Sequence, residues 1–289
     1  MRQLRTITDG PVGLEAFDMK LRIIAAAALL PLLLVVLIVL PPVFTAILVG
    51  LMCAVAVYEL LWVTGLVKET RLVIYTAVMA FLVSGWSYFS SSYVAAILGV
   101  IVFTMILFAE LMFSREKPAF EKIAVCFAGG LLVPFLLSAL VRLRSGYNGA
   151  FYVLIPFLLA FLSDSGAYFA GSFLGKHKLA PQISPKKTVE GVVGGVVAAI
   201  AGMLIYCLIL DIGFGFTVRY LNAFAYGVIG SLVGVFGDLC FSAVKRQVGI
   251  KDYGNLIPGH GGVLDRFDSM TLIAPITEAL LILLPVAVR

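Results

Sequence analysis

Charge is scarce in this chain. Only 13% of its 289 residues are Asp, Glu, Lys or Arg, and 62% are hydrophobic. A soluble domain carries about 25% charged and about 45–50% apolar residues, so one soluble core cannot hide this much apolar surface. Sulfur and imidazole are scarce too. The four cysteines, Cys53, Cys126, Cys207 and Cys240, lie inside or at the edges of apolar runs and none are close neighbours. That excludes a zinc-finger spacing and a disulfide framework and leaves small membrane-buried side chains. The only histidines are His177 and His260. No GxxxxGK[ST] loop occurs, which excludes a P-loop enzyme. The apolar runs lack the alternation of outer-membrane barrel strands. No soluble domain, low-complexity tail or internal repeat is visible.

What is present is a series of long apolar runs, with mean hydropathy +1.09. A bilayer core about 30 Å thick needs roughly 20 apolar residues per helix. The expected fold is an all-α polytopic integral membrane protein with about nine transmembrane helices. The expected spans are 22–40, 43–63, 72–90, 93–113, 123–141, 150–170, 190–210, 221–241 and 269–288. Pro41-Pro42 separates the first two. Ser90-Ser91-Ser92 marks the third hairpin, with one long helix as the alternative. The polar N-terminus precedes a long apolar run with no small-residue cleavage site soon after it, which reads as an anchor. Five spans fall in 1–145 and four in a catalytic region, 146–289.

Lys and Arg set the orientation. With the N-terminus in the cytoplasm, 17 of the 21 fall on that side, leaving Arg142, Arg144, Arg219 and Arg289 outside. This places the 171–189 and 242–268 loops on one cytoplasmic face.

Those two loops hold most of the polar chemistry. In the first cluster, Asp164 interrupts an apolar run, where a carboxylate is costly and functional by default; a hydrogen bond between helices is the plainer alternative. Ser184-Pro185 reads as an N-cap followed by proline at the first helical position. Lys186, Lys187 and Thr188 would then occupy a first turn suited to phosphate, although lysines also flank membrane helices for topological reasons. Gly191, Gly194 and Gly195 suit close helix packing, as do Gly230 and Gly234.

In the second cluster, Asp238 precedes KRQVGIKDYGNLIPGHGGVLDRFD, residues 245–268. The Pro258–Gly262 stretch cannot be regular helix, and its glycines allow close approach of backbone to a ligand. Asp265 and Asp268 share one face of a helix start, with Arg266 between them. His260 could act as base or phosphate donor, or serve backbone positioning; His177 reads as a loop residue. Glu59, Glu110 and Glu278 lie in spans, where they pair or line a polar cavity. Carboxylates, lysines and glycine loops at a bilayer surface suit a Mg2+–polyphosphate complex.

Ser242, Lys245-Arg246, Lys251-Asp252, Pro258, His260-Gly261-Gly262 and Asp265-Arg266 with Asp268 together resemble the motif of the phosphatidate cytidylyltransferases, or CDP-diacylglycerol synthases. Ser184-Pro185-Lys186-Lys187, Glu190-Gly191 and Gly237-Asp238 are also similar to that family. The resemblance covers about 160–270; the N-terminal half shares only its apolar spans. It implies that CTP and phosphatidic acid give CDP-diacylglycerol and pyrophosphate. It further implies a homodimer in the lipid bilayer and divalent metal held by Asp238 and Asp265: Mg2+, with a second ion left open. Candidate catalytic residues are Asp238, Lys245, Arg246, His260, Asp265 and Arg266. Candidate substrate-binding residues are Asp164, Ser184, Lys186, Lys187, Thr188, Lys251, Asp252, Gly261, Gly262 and Asp268. A bacterial inner membrane with a cytoplasmic active site is expected, and no nucleic-acid partner. The alternatives are a CTP-dependent polyprenol or diacylglycerol kinase and an ion-coupled transporter.

Overall fold

The computed structural model describes residues 30–89, 93–256 and 261–288. The polar N-terminus, residues 22–29 of the first expected span, Ser90–Ser92, Pro258 and His260 therefore lie outside the described residues. Helix α1 (Leu30–Val39) is followed by α2 (Pro42–Val63), α3 (Thr70–Tyr88), α4 (Tyr93–Phe113), α5 (Phe120–Ser145) and α6 (Gly149–Leu174). Then come strands β1 (Lys178–Ala180) and β2 (Ser184–Thr188), α7 (Val189–Phe214), β3 (Thr217–Val218) and α8 (Tyr220–Gln247). The chain closes with α9 (Val263–Phe267), α10 (Met270–Leu283) and β4 (Ala287–Val288).

Seven of these helices, α2 to α8, are long and apolar enough to cross a membrane. They coincide with seven of the nine expected spans. The ninth is a 14-residue helix, α10, which carries Pro275 and is continued by an extended segment that pairs with β3, Thr217 opposite Val288.

Small residues set the packing between helices. Lipid tails are as apolar as leucine, so helices associate through close contact rather than hydrophobic burial alone. The most extensive contact is α6 against α7. A Cβ added at Gly166 would lie 2.5 Å from Ala198 Cβ and 2.6 Å from the Gly194 carbonyl oxygen, and one at Gly195 would lie 2.8 Å from the Ser163 carbonyl oxygen. Gly230 and Gly234 do the same for α8, against Leu159 of α6 and Ile273 of α10. Ser163 and Ser231, both buried, share a 2.6 Å hydrogen bond across that seam. By contrast α4 buries only Phe103 and Leu107, leaving a broad apolar face that a bilayer would cover.

Two glutamates of the apolar helices are paired, as a carboxylate among apolar residues requires. Glu278 of α10 takes both Nε and Nη2 of Arg142 on α5, at 2.7 and 2.8 Å. Glu110 meets Arg71 at 3.3 Å.

One local expectation is corrected. Ser184 to Thr188 is a strand, not a helix start: Ala180 pairs with Ser184 and Lys178 with Thr188. The helix begins one residue later, with Thr188 as N-cap, its hydroxyl accepting from the Gly191 N–H at 3.1 Å. Pro185 fits a first helical turn, but β1 supplies a pairing partner and Thr188 a better cap. At its far end α7 stops at Gly215, whose φ of +67° closes the last turn.

Gly166→Leu is expected to lower the melting temperature in detergent, because overpacking costs roughly 1–3 kcal/mol or more. Gly213→Ala, where an added Cβ meets nothing within 4 Å, is the control and should leave melting unchanged or slightly raised.

Candidate active site

The β1–β2 hairpin and the segment after α8 occupy the same end of the bundle. Arg246 Nε donates to the Ile183 carbonyl of the hairpin at 3.1 Å. Lys187 Nζ lies 2.5 Å from Asp238 Oδ2. The sequence expectation that these two loops share a face is met by direct contact.

The centre of the site is a buried knot. Lys245, near the end of α8, places Nζ 2.9 Å from Asp265 Oδ1 and 3.9 Å from Asp268 Oδ2. The side chains of Lys245 and Asp265 are 9% and 2% exposed. A charge at that depth needs every lone pair engaged. Asp265 Oδ2 accepts from the Tyr253 N–H at 2.8 Å and the Gly262 N–H at 3.0 Å. Gly261, at φ +82°, turns the chain in front of Asp265: a Cβ there would lie 3.1 Å from Oδ2. Tyr253, fully buried, donates its hydroxyl to the Phe241 carbonyl and lies under Lys245 Nζ, 5.4 Å from the ring centre. That site and the neighbouring Asp265 and Asp268 push its phenol upward, burial first.

Asp238 lies one turn before Ser242, whose hydroxyl donates to Oδ1 at 3.0 Å. Asp238, Lys187 and Arg266 each lie within electrostatic reach of Asp164. Asp164, Lys186, Lys187, Thr188 and Gly191 line a cleft of about 200 Å3. Asp268, its Oδ1 held by the Ser269 N–H at 2.7 Å, is pushed up to about 7. Burial is the main cause, reinforced by Asp238 and Asp164 and opposed by Ser269 and Lys245.

The structure thus brings together Asp164, Lys186, Lys187, Thr188, Asp238, Lys245, Asp265, Arg266 and Asp268. Gly261 and Gly262 shape the pocket around Asp265. Arg246 braces the hairpin instead, through Ile183 and the Ile250 carbonyl. Ser184 sits on β2, and Lys251 and Asp252 stand exposed beside the knot. His177 pairs with Glu190 through Nδ1 at 2.6 Å, as a loop residue would. Sequence reasoning missed one contributor to the site's frame, Glu59, which bonds the Val263 and Leu264 N–H groups from α2. Its only sequence signal was a carboxylate inside an apolar run.

Among the described residues no group of three or more His, Cys, Asp and Glu has the arrangement of a metal site. A donor set of one or two carboxylates still suits Mg2+, which keeps waters and takes phosphate oxygens as its other ligands. Asp238, 29% exposed, could offer an oxygen to an ion once Lys187 turns away. Asp265 could do so only if Lys245 leaves Oδ1.

Lys245→Met should lower thermal stability in detergent by the equivalent of about 3–5 kcal/mol, because it strands a buried carboxylate. Adding Asp265→Asn should recover part of that loss. Equal losses that simply add would show that the pair is not coupled.

Residues 20–284 match the cytidylyltransferase family. A phosphatidate cytidylyltransferase of Staphylococcus saprophyticus is 38% identical over 183 residues, 63% of this chain and 68% of the relative. One from Staphylococcus aureus is 37% identical over 183 residues, and one from Staphylococcus epidermidis 36% over 184, each covering 68% of the relative. With the match running through nearly the whole chain, and with the lysine–carboxylate knot lying inside it, this protein belongs to the cytidylyltransferase family.

Proposed function

We propose that this protein transfers CMP from CTP to phosphatidic acid, giving CDP-diacylglycerol and pyrophosphate. The carrying observation is the meeting, at one end of the bundle, of two lysine–carboxylate pairs, Lys187 with Asp238 and Lys245 with Asp265, in a chain of this family. An oxygen of the lipid phosphate attacks the α-phosphorus of CTP; the bond to the bridging oxygen of the β-phosphate breaks, and pyrophosphate departs with that electron pair. The attacking phosphate is already ionised at neutral pH, so no general base is needed. The difficulty is an anion approaching a polyanion, which makes positioning and charge neutralisation the main tasks.

The residues suit those tasks. Mg2+ held by Asp238 and Asp265 would draw charge from the CTP phosphates. Lys187 and Lys245, each paired with one of those carboxylates, would be the cations free to turn to phosphate oxygens when an ion takes their place. Lys186 in the cleft and Arg266 near Asp164 add positive charge, and Asp268 answers Lys245. The cytoplasmic placement of this end rests on the Lys/Arg bias, the homodimer on the family resemblance, and the bacterial inner membrane on the apolar helices and bacterial relatives.

Purified protein in detergent, given CTP, phosphatidic acid and Mg2+, should release pyrophosphate and form CDP-diacylglycerol only when all three are present. CDP with a phosphorylated alcohol, on offering polyprenol or diacylglycerol, would instead mark a lipid kinase. Asp265→Asn should remove turnover while leaving folded protein; near-normal turnover would take Asp265 out of the metal role.

The elevated Asp268 gives a pH signature. A carboxyl with its folded pKa near 7 is protonated below that pH and then no longer attracts a cation. Mg2+ affinity should therefore weaken as pH drops from 8 to 6. Asp268→Asn should flatten that dependence in a Mg2+ titration.

A further inference from the structure

Glu59 is the last place in the chain where sequence suggests a catalytic contribution. It belongs to α2, 204 positions before the residue it touches, and it is 2% exposed. The helix widens into a π-turn there, over Glu59–Val63, a feature that recurs at functional positions. Glu59 Oε1 accepts from the Val263 N–H at 2.9 Å and Oε2 from the Leu264 N–H at 2.8 Å. These are two of the first N–H groups of α9, which have no partner within the helix.

Space has been cleared for this carboxylate on both sides. A Cβ on Gly262 would lie 2.5 Å from Oε2, and one on Gly254 2.9 Å from Oε1. Gly262 closes the segment between α8 and α9, and Gly254 lies near its middle. Asp265 grips the neighbouring positions from the opposite side, through the Tyr253 and Gly262 N–H groups. One carboxylate from α2 and one from α9 thus clamp the same stretch of backbone.

Helix α9 is five residues long and carries Asp265 and Arg266. One turn cannot hold itself in place, so its position is set from outside. We infer that Glu59 is a positioning residue for the transfer reaction, fixing where Asp265 and Arg266 stand relative to Asp238. This inference rests on the reading under Proposed function. A glutamine would supply one acceptor where two N–H groups converge, and would turn an NH2 donor toward the other.

The test is steady-state pyrophosphate release by Glu59→Gln, Glu59→Asp and Gly254→Ala, with kcat expressed per folded molecule. Glu59→Gln is expected to lower kcat about 10–100-fold, the usual effect of losing a residue that orients a site, with KM for CTP and phosphatidic acid changed much less. Glu59→Asp should recover part of the loss. Amide exchange at Val263 and Leu264 should quicken in Glu59→Gln. A purely stabilising role would lower melting temperature and folded yield while kcat per folded molecule stayed at the wild-type value, and that result overturns the inference. If Glu59→Gln does not fold, Gly254→Ala decides: it keeps the carboxylate but presses on it, so a loss of kcat supports the clamp and wild-type kcat removes it. Silence of the wild-type enzyme removes the transfer reading and this inference together, whereas an active wild type with an equally active Glu59→Gln removes the inference alone.

Discussion

A buried ammonium facing a buried carboxylate organises the polar end of this protein. Lys245 and Asp265 are each too deep to be hydrated, and neither could stay charged there alone. Their contact joins the end of α8 to α9. Because Asp265 spends its second oxygen on two backbone N–H groups, the same contact also fixes the middle and the close of the intervening segment. Tyr253, Gly262 and Asp268 take their places from it. Breaking the pair would release that loop as well as one ion pair.

The second pair, Lys187 with Asp238, sits in a wetter position and ties a different element, the β1–β2 hairpin, to α8. Together the two pairs hold the charge of the site close to balance. That matters in a low dielectric, where an uncompensated group would cost several kcal/mol. It also means that the lysines are already aligned, at fixed distances from the carboxylates, before any phosphate arrives. Preorganisation of this kind is what makes fixed charges effective against a developing negative charge.

Much of this was legible in the sequence. The apolar runs located the seven long helices because hydrocarbon thickness sets their length. The Lys/Arg bias put the two charged loops on one face, and Arg246 bonding the Ile183 carbonyl joins them there. Asp164 was singled out by its cost in an apolar run, and it does line the cleft with Lys186 and Lys187. Two features were not legible. Ser184-Pro185 satisfied a local helix-start pattern, but strand pairing with Lys178–Ala180 is a partner effect that local propensity does not carry. Glu59 was visible as a costly carboxylate, yet nothing near it in sequence points to N–H groups 204 and 205 positions away. Only the tertiary packing of α2 against α9 brings them together.

The positions of Asp164 and Asp238 along their helices set the depth of the chemistry. Asp164 lies ten residues before the end of α6 at Leu174, and Asp238 nine before the end of α8 at Gln247. At 1.5 Å per residue, both carboxylates sit about 14–15 Å inward from those helix ends. The cleft is therefore a recess, and its floor lies beneath the rim formed by the charged loops. A nucleotide reaching that floor passes below the helix ends and leaves part of its water behind. In this geography the soluble substrate comes down to the membrane-bound one.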